Sequence, residues 1–330
     1  MTRFVAIALL LLSLTTTARA QTLNCQQPDS DIDRATCRSS GLMTVRSSVG
    51  VSYEGLLSTL SGPAREHLVA DQERWTRGNQ SLCIESINRF ATGRTDTQVA
   101  ACLAERMSAR NGRLRAIPSG ADYPFISEQL LLKAGLAARS TYRLFAAYPR
   151  FDRPGVDSKA LNERIERSAN ERVGVGPFPT PGDSYPGPWR VELRHDLRFP
   201  TRTVAAVLTS DYSQLDAVPP RSISLGMLVD VAAGKALGID DVFTDGWRQV
   251  VPALCLEEIR RSPNSIPSDA KLLEMLSEPN RWLFGREGVE IVFRFYEEGA
   301  TSTSARLIAI PYAKLKDIIR GDGALASKAR

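Results

Sequence analysis

The distribution of cysteines constrains this chain more than any other feature of its sequence. The 330 residues include five cysteines, and four of them fall in the first third of the chain: Cys25, Cys37, Cys83 and Cys102. In an oxidising compartment, four clustered cysteines indicate two disulfide bonds. A zinc site is the weaker alternative, because no two of the four form a C-x-x-C pair and the chain has only two histidines.

Four cysteines allow three pairings. We favour Cys25–Cys37 and Cys83–Cys102, because both bonds close short local loops and each should contribute about 3 kcal/mol in the chain-entropy model. The fifth cysteine, Cys255, lies in the apolar stretch Val250–Leu256. We therefore predict that its thiol is buried and inert.

The first twenty residues have the pattern of a secretory signal peptide. Arg3 supplies a positive start, Phe4–Leu14 is apolar, and Ala18-Arg19-Ala20 forms a small-x-small cleavage site. The apolar run is shorter than the about 20 residues that span a bilayer, although an uncleaved anchor is an alternative. We predict cleavage near Ala20 and a periplasmic or secreted protein, with no transmembrane segment after cleavage and, because no cysteine follows directly, no lipid anchor.

Loss of the signal peptide removes two arginines, which lowers the net charge from +5 to +3. This mild positive charge is spread along the chain. Because no run of lysine or arginine resembles a nucleic-acid-binding arm, we do not expect a nucleic-acid partner. About 310 residues remain, enough for two ordinary domains.

Residues 21–117 have the pattern of a helical domain. Leu56, Leu57 and Leu60 form one apolar cluster, and Gly62-Pro63 separates it from a second helix. That helix places Leu68, Gln72 and Trp75 on one face, which favours core packing of Trp75 over a contact with sugar or a partner. A third helix is predicted from Thr97 to Arg115, with Val99, Cys102, Leu103, Arg106 and Met107 on one side. Its disulfides would compensate for a slight core.

Pro118-Ser119-Gly120 ends the helical pattern, and residues 118–325 are predicted to form a second domain. Strands are predicted at Thr141–Ala146, Trp189–Phe199, Thr203–Tyr212, Ser222–Val231, Val289–Tyr296 and Arg306–Ile310. Helices are predicted at Ser158–Arg172, Trp247–Arg261, Ser268–Leu276 and Pro311–Arg320. Several strand pairs lie close enough for antiparallel hairpins. The order of elements predicts an α+β fold with an antiparallel sheet and packed helices.

The helical region resembles the LprI-type domain, a family named for lysozyme inhibitors of the bacterial envelope. The residues that carry the resemblance are Leu23-Asn24-Cys25, Cys37, Tyr53, Leu57, Leu68, Gln72, Trp75, Cys83, Cys102-Leu103 and Arg106–Leu114. The chain departs from the family's charged positions, because Arg34-Ala35-Thr36 precedes Cys37 and Gly78-Asn79-Gln80 precedes Cys83. The resemblance implies a disulfide-stabilised binding domain.

The second region resembles the C-terminal region of RsiV-type proteins, which occurs in lysozyme-sensing anti-sigma factors and in PdaC-type peptidoglycan deacetylases. The matching residues are Tyr148-Pro149, Leu161-Asn162, Ile165, Tyr212, Gly234-Lys235, Leu237, Asp240–Phe243, Trp282, Gly288, Phe293, Tyr296, Ile310–Tyr312 and Leu315. The match places the Gly/Pro-rich stretch 173–188 inside the domain. The family's Gly-Gly-Ala-His-Pro loop is replaced by Asp216–Arg221, which puts any binding role of that loop in doubt.

The residue types needed for catalysis are sparse. A deacetylase of the PdaC type needs an aspartate with two metal-binding histidines, and His67 and His195 are far apart in the sequence. We expect the side chain of His195 to be solvated or satisfied. No Gly-x-Ser-x-Gly elbow marks a nucleophilic serine. We therefore predict no catalytic residue, metal or cofactor.

The large and acidic residues of the second region have structural interpretations. Asp240-Asp241 and Glu297-Glu298 are adjacent pairs, and adjacent strand residues point to opposite faces. We expect Asp240-Asp241 to cap a helical turn that begins at Val242. We expect the aromatic residues of this region to fill the buried face of the sheet: Trp282, Phe293 and Tyr296.

These observations predict a non-catalytic binding protein of the bacterial envelope, with a lysozyme-like hydrolase or peptidoglycan as partner. The net charge of +3 would not steer the protein to a strongly basic lysozyme. The alternative is an envelope enzyme with an unrecognised carboxylate-based site. An anti-sigma or sensor role is disfavoured, because it needs a transmembrane helix and a cytoplasmic segment.

Overall fold

The described part of the chain up to Ala116 is helical. The computed structural model describes residues 23–90, 95–137, 140–174, 189–215, 221–260, 269–293 and 306–328. The first helices are α1 (Asp31–Cys37), α2 (Ser40–Ser58), α3 (Gly62–Asn79), α4 (Ser86–Phe90) and α5 (Thr95–Ala116), with a π-helical turn at Gln80–Glu85. Ser30 and Ser39 cap α1 and α2 with their hydroxyl oxygens. Pro63 lies in the first turn of α3, so the predicted break between the second and third helices is confirmed.

The rest of the chain forms two sheets with helices around them. The larger sheet has the order β1 (Ile126–Ala137), β2 (Ser140–Phe151), β3 (Trp189–Pro200), β4 (Val204–Leu215), β5 (Arg221–Asp230) and β6 (Lys235–Leu237). The smaller sheet has the order β7 (Trp282–Phe284), β8 (Gly288–Phe293) and β9 (Arg306–Pro311). The helices here are α6 (Lys159–Gly174), α7 (Trp247–Arg260) and α8 (Asp269–Leu276). The predicted α+β class is therefore confirmed.

All neighbouring strands pair antiparallel except β2 and β3, which are parallel and are separated in the chain by α6. Leu144 and Ala146 of β2 pack with Ala169 of α6 on one face of the larger sheet. Phe145, which points to the opposite face, belongs to the apolar core that contains the helical region. One continuous core therefore joins the helices to the sheet, and the division into two domains stays a prediction.

A second core lies under the smaller sheet. Trp247 of α7 and Trp282 of β7 are each 1% exposed, and their rings meet edge to face at 5.7 Å. Phe293 is also 1% exposed, so the predicted burial of these strand aromatics is confirmed for Trp282 and Phe293. Tyr296 lies outside the described residues.

The predicted helix Pro311–Arg320 is wrong. Pro311 ends β9, and a short 3-10 turn, Tyr312–Lys314, follows it. The backbone beyond the turn pairs with another segment: Thr244 donates to the carbonyl oxygen of Ile318, and Arg320 donates to that of Val242. These bonds replace the hydrogen bonds that a helix would have formed.

The strand predictions also need correction. The segment predicted as Thr141–Ala146 is the longer β2, and three strands were not predicted: β1, β6 and β7. The Gly/Pro-rich stretch lies mostly at 175–188, outside the described residues. Within the ranges that the structure describes, the helices are too short or too polar to cross a membrane.

Candidate functional site

Both predicted disulfides are present. Cys25 is bonded to Cys37, and Cys83 to Cys102, each with a Cα–Cα distance of 5.5 Å. The first bond attaches the N-terminal segment to α1, and the second joins the π-helical turn to α5. Cys255 is free and fully buried, and burial raises the pKa of its thiol to about 12. Its predicted role as an inert core residue is consistent with this environment.

The paired aspartates do not converge on a common point. Asp240 accepts a hydrogen bond from the indole N–H of Trp247 at 2.9 Å, and Asp241 accepts the backbone N–H of Gly238 at 2.8 Å. The predicted cap of a turn that begins at Val242 is wrong, because the turn closed by the N–H groups of Val242 and Phe243 on the Ile239 carbonyl contains both aspartates. Glu297-Glu298 lies outside the described residues.

His67 of α3 belongs to a polar cluster at the start of β1. Its Nδ1 lies 2.8 Å from the hydroxyl of Tyr123, and its Nε2 lies 3.7 Å from Oδ2 of Asp152. Ser127, which is fully buried, donates to the same carboxylate oxygen at 3.0 Å. Burial raises the pKa of Asp152, but the nearby His67 and the hydrogen bonds from Arg150 and Ser127 outweigh it and lower that pKa to about 2. The serine proton faces a carboxylate and not the imidazole, which is unlike a catalytic triad.

His195 lies in the interior, beside the last paired residues of β2 and β3. Its Nδ1 is 2.9 Å from the carbonyl oxygen of Ala147, and the residue is 6% exposed. Burial, reinforced by the nearby positive charge of Arg113, lowers its pKa to about 3. The imidazole is therefore neutral. Of the two expectations for His195, a satisfied side chain agrees with the Nδ1 contact, and a solvated one does not. In the described part of the chain, no cluster of histidine, cysteine, aspartate and glutamate has an arrangement suited to a metal ion.

The most distinctive feature of the interior is a buried network of charges between the helices and β1. Glu128 of β1 accepts hydrogen bonds from Arg106 and Arg113 of α5. Asp71 of α3 accepts from Arg110 of α5 at 2.6 Å. All five residues are at most 8% exposed. Three guanidinium groups thus face two carboxylates, which leaves an excess of positive charge.

The two arginines beside Glu128 determine its ionisation. Burial alone would raise the pKa of this carboxyl, but Arg106 and Arg113 outweigh it and hold the pKa well below its usual range. Glu128 is therefore ionised at neutral pH. Such a network is stable only when every charge keeps its partner.

Two residues that carry the LprI-type resemblance also contact this network. Gln72 accepts a hydrogen bond from Nε of Arg110 at 3.0 Å, and the Trp75 ring lies 5.7 Å from the Arg110 guanidinium. Trp75 is 9% exposed and packs in the main core, so the prediction of core packing is confirmed. The Q-x-x-W spacing therefore positions a buried arginine.

A groove of about 620 Å³ lies beside the network, between α3 and β1. It is lined by Arg74, Trp75, Arg77, Gly78, Ser81, Arg106, Glu128, Gln129, Leu130, Leu131 and Leu132. Asp71 accepts the backbone N–H of Glu128 at 2.8 Å, so this N–H points away from β2 and towards α3. The residue opposite Glu128 on β2 is Pro149, which has no N–H to donate. One wall of the groove is thus the outer edge of a strand.

The sequence contained a signal for the buried network of charges beside the groove. Arg106, Arg110 and Arg113 are spaced i, i+4, i+7, which places them on one face of α5. Arg106 lies on the predicted apolar side of this helix, and an arginine there requires a buried acidic partner. The partner Glu128 could not be named, because β1 was not predicted.

The fold is similar to solved structures at low sequence identity. It is similar to a solved DUF3298-family protein from Bacteroides fragilis, with 11% identity and a TM-score of 0.42, covering 64% of this chain and 98% of that chain. It is also similar to a DUF3298-family protein from Pseudomonas aeruginosa, with 15% identity and a TM-score of 0.37, covering 59% of this chain and 93% of that chain. The LprI-type and RsiV-type resemblances stay predictions. No protein-family description matches the chain, and no curated protein matches it.

Proposed function

We propose that this protein is a non-catalytic binding protein of the bacterial envelope, with a lysozyme-like wall hydrolase or peptidoglycan as its partner. Its two disulfides support a place in an oxidising compartment. The predicted signal peptide and the resemblance of both regions to envelope domains support the same location.

The observation that carries the binding role is the groove between α3 and β1. It combines half-buried leucines with three arginines and a strand edge, which is a surface suited to a partner and not to a reaction. Its tryptophan is nearly buried, with Arg110 beside the ring, so it offers little aromatic face for a sugar to stack on. This favours a polypeptide partner, and hence the hydrolase, over the glycan of the wall.

The charge of the groove narrows the choice of hydrolase. Arg74 and Arg77 of α3 lie on its wall above a network with excess positive charge. A strongly basic lysozyme would be repelled there. The favoured partner is a wall hydrolase with an acidic surface segment.

The test uses the mature, disulfide-bonded protein. It is sedimented with purified peptidoglycan and, separately, passed over immobilised wall hydrolases whose turnover is also measured. We expect one or more hydrolases to be retained and to turn over more slowly in excess protein. If neither hydrolases nor peptidoglycan bind, and no turnover falls, the proposal is wrong. Release of soluble wall fragments by the protein alone would instead support the enzyme alternative.

A further inference from the structure

We infer that the outer edge of β1 binds an extended, acidic segment of a partner protein, which adds a strand to the six-stranded sheet in the groove beside α3. This inference names the ligand class of the proposed binding function and rests on it. It is supported by the hydrogen-bonding geometry of β1, the length of its open edge and the charges around it.

The first support is the direction of the backbone groups of β1. This strand is the first in the order of the larger sheet, and among the described strands it pairs with β2 alone. The N–H of Glu128 points outward, and outward groups recur at every second residue of an antiparallel edge strand. The N–H and C=O groups of Leu130 and Leu132 therefore also point into the groove. Among the described residues, none forms a hydrogen bond with them.

The second support is the limited length of this open edge. Asp71 occupies the N–H of Glu128 and so closes one end of it. Beyond this closed end, the part that lines the groove runs from Gln129 to Leu132, which is about 10 Å at about 3.3 Å per residue. A peptide of about four extended residues fits this length. Unpaired strand edges are ready sites for such an addition, and the backbone bonds supply affinity whatever the side chains are.

The third support is charge. Arg77 is exposed and Arg74 is partly exposed on the wall of the groove, and neither forms an ion pair with a described residue. The buried network behind them carries three guanidinium groups and two carboxylates. The groove thus favours a segment with acidic side chains. The half-buried side chains of Leu130 and Leu132 suit apolar residues between the acidic ones.

The same charges argue against a second copy of this chain as the occupant. Pairing of β1 with β1 of another copy around a two-fold axis would bring Arg74 and Arg77 of both copies together. Like charges across such an interface are unfavourable. The occupant that fits is therefore an acidic strand from a different protein.

The first experiment measures binding of a fluorescent peptide, Thr-Glu-Val-Glu-Val-Thr, to the mature protein by polarisation at low salt. The variant Arg77→Glu reverses one charge of the groove. Its matched control is Arg167→Glu on α6, which is equally an exposed arginine on a helix and lies away from the groove. We expect Arg77→Glu to weaken binding at least tenfold and Arg167→Glu to leave it unchanged. A peptide with lysine in place of glutamate should not bind.

The second experiment tests strand pairing without altering the protein. Methyl groups are placed on alternate backbone nitrogens of the peptide, in each of the two possible phases. We expect one phase to abolish binding, because its amides face β1, and the other to bind nearly as well as the parent peptide. Equal binding of both phases would overturn the inference, and so would equal effects of the two charge reversals.

The remaining outcomes separate this inference from the proposed function. If a hydrolase still binds Arg77→Glu at full strength, the inference about the groove fails and the binding function stands. If the peptide binds in an Arg77-dependent way but no hydrolase or peptidoglycan is retained, the inference about the groove is supported and the proposed function fails. Displacement of the peptide by soluble wall fragments, or by self-association of the protein, would overturn the assignment to a partner protein.

Discussion

The Asp71 carboxylate accepts the backbone N–H of Glu128 at 2.8 Å, and thereby joins α3 to the edge of β1. The same carboxylate accepts a hydrogen bond from Arg110 of α5 at 2.6 Å. One side chain that is 1% exposed thus holds two helices against the sheet. The helical region is attached to the sheet by a buried ionic contact as well as by apolar packing.

The first prediction concerns the loss of this carboxylate. Asp71→Ala leaves Arg110 buried without its partner, and breaking a buried ion pair in this way costs about 3–5 kcal/mol. We expect a loss of that size in the free energy of unfolding, measured by urea denaturation followed by circular dichroism. The control Glu73→Ala, at an exposed position of the same helix, should change stability by about 0.5 kcal/mol or less. A similar small effect for Asp71→Ala would show that the pair contributes little.

The second prediction concerns acid sensitivity. Because the pKa of His195 is about 3 in the folded protein and 6.5 for an unperturbed histidine, the unfolded chain binds a proton below pH 6.5 that the folded chain does not. The stability that comes from the neutral His195 is present above pH 6.5 and is lost as the pH falls, by about 2 kcal/mol between pH 7 and pH 5. The low pKa of Glu128 acts in the same direction, but only below the ordinary glutamate value of 4.5.

The measurement is urea denaturation of the wild type and of His195→Gln at pH 7 and pH 5. The variant removes the titrating group and keeps a side-chain N–H for the Ala147 carbonyl. We expect it to be less stable at pH 7 but to lose about 2 kcal/mol less than the wild type on acidification. An equal loss in both proteins would mean that His195 is protonated in the folded state or that another group determines the acid response.

The third prediction concerns the disulfides. The two bonds close sequence separations of 12 and 19 residues. Each should stabilise the chain by about 3 kcal/mol, so replacement of either pair by serines should lower the unfolding free energy by about that amount. Mass mapping of non-reduced peptides checks the pairing, and a Cys25–Cys102 link would contradict it. Cys255→Ser serves as a thiol control. A reductant should lower the unfolding free energy of this variant by the same amount as that of the wild type.

The parts of the fold that the sequence predicted are those determined by local signals. Gly62-Pro63 separates α2 from α3, and the short cysteine loops favoured the pairing that is observed. In each case the information lies within about twenty residues of chain.

The parts that were missed depend on distant contacts. In β1, Leu130-Leu131-Leu132 lacks the alternation of a half-exposed strand, because its two faces pack against different elements. The segment after Pro311 has a good helix start, but pairing with Val242–Thr244 prevails. The groove was missed for the same reason, since two of its arginines lie on α3 and its strand edge lies about fifty residues later. A local pattern could predict either wall but not their proximity.

The last prediction concerns Gly226, where β5 passes closest to β7. A Cβ atom at this position would lie 2.1 Å from the carbonyl oxygen of Trp282 and 2.7 Å from its carbonyl carbon, and both are backbone atoms that cannot move aside alone. Gly226→Ala therefore forces the two sheets apart, and we expect a loss of about 3 kcal/mol or more in the free energy of unfolding, since overpacking of a core costs about 1–3 kcal/mol even where side chains can adjust. The matched control is Gly112→Ala on α5, where nothing lies within 4 Å of the added atom and the residue is exposed. Alanine there should stabilise the helix by up to about 1 kcal/mol. If the two variants unfold at the same urea concentration, the close approach of β7 to β5 is incorrect, and with it the packing of the smaller sheet on the larger one.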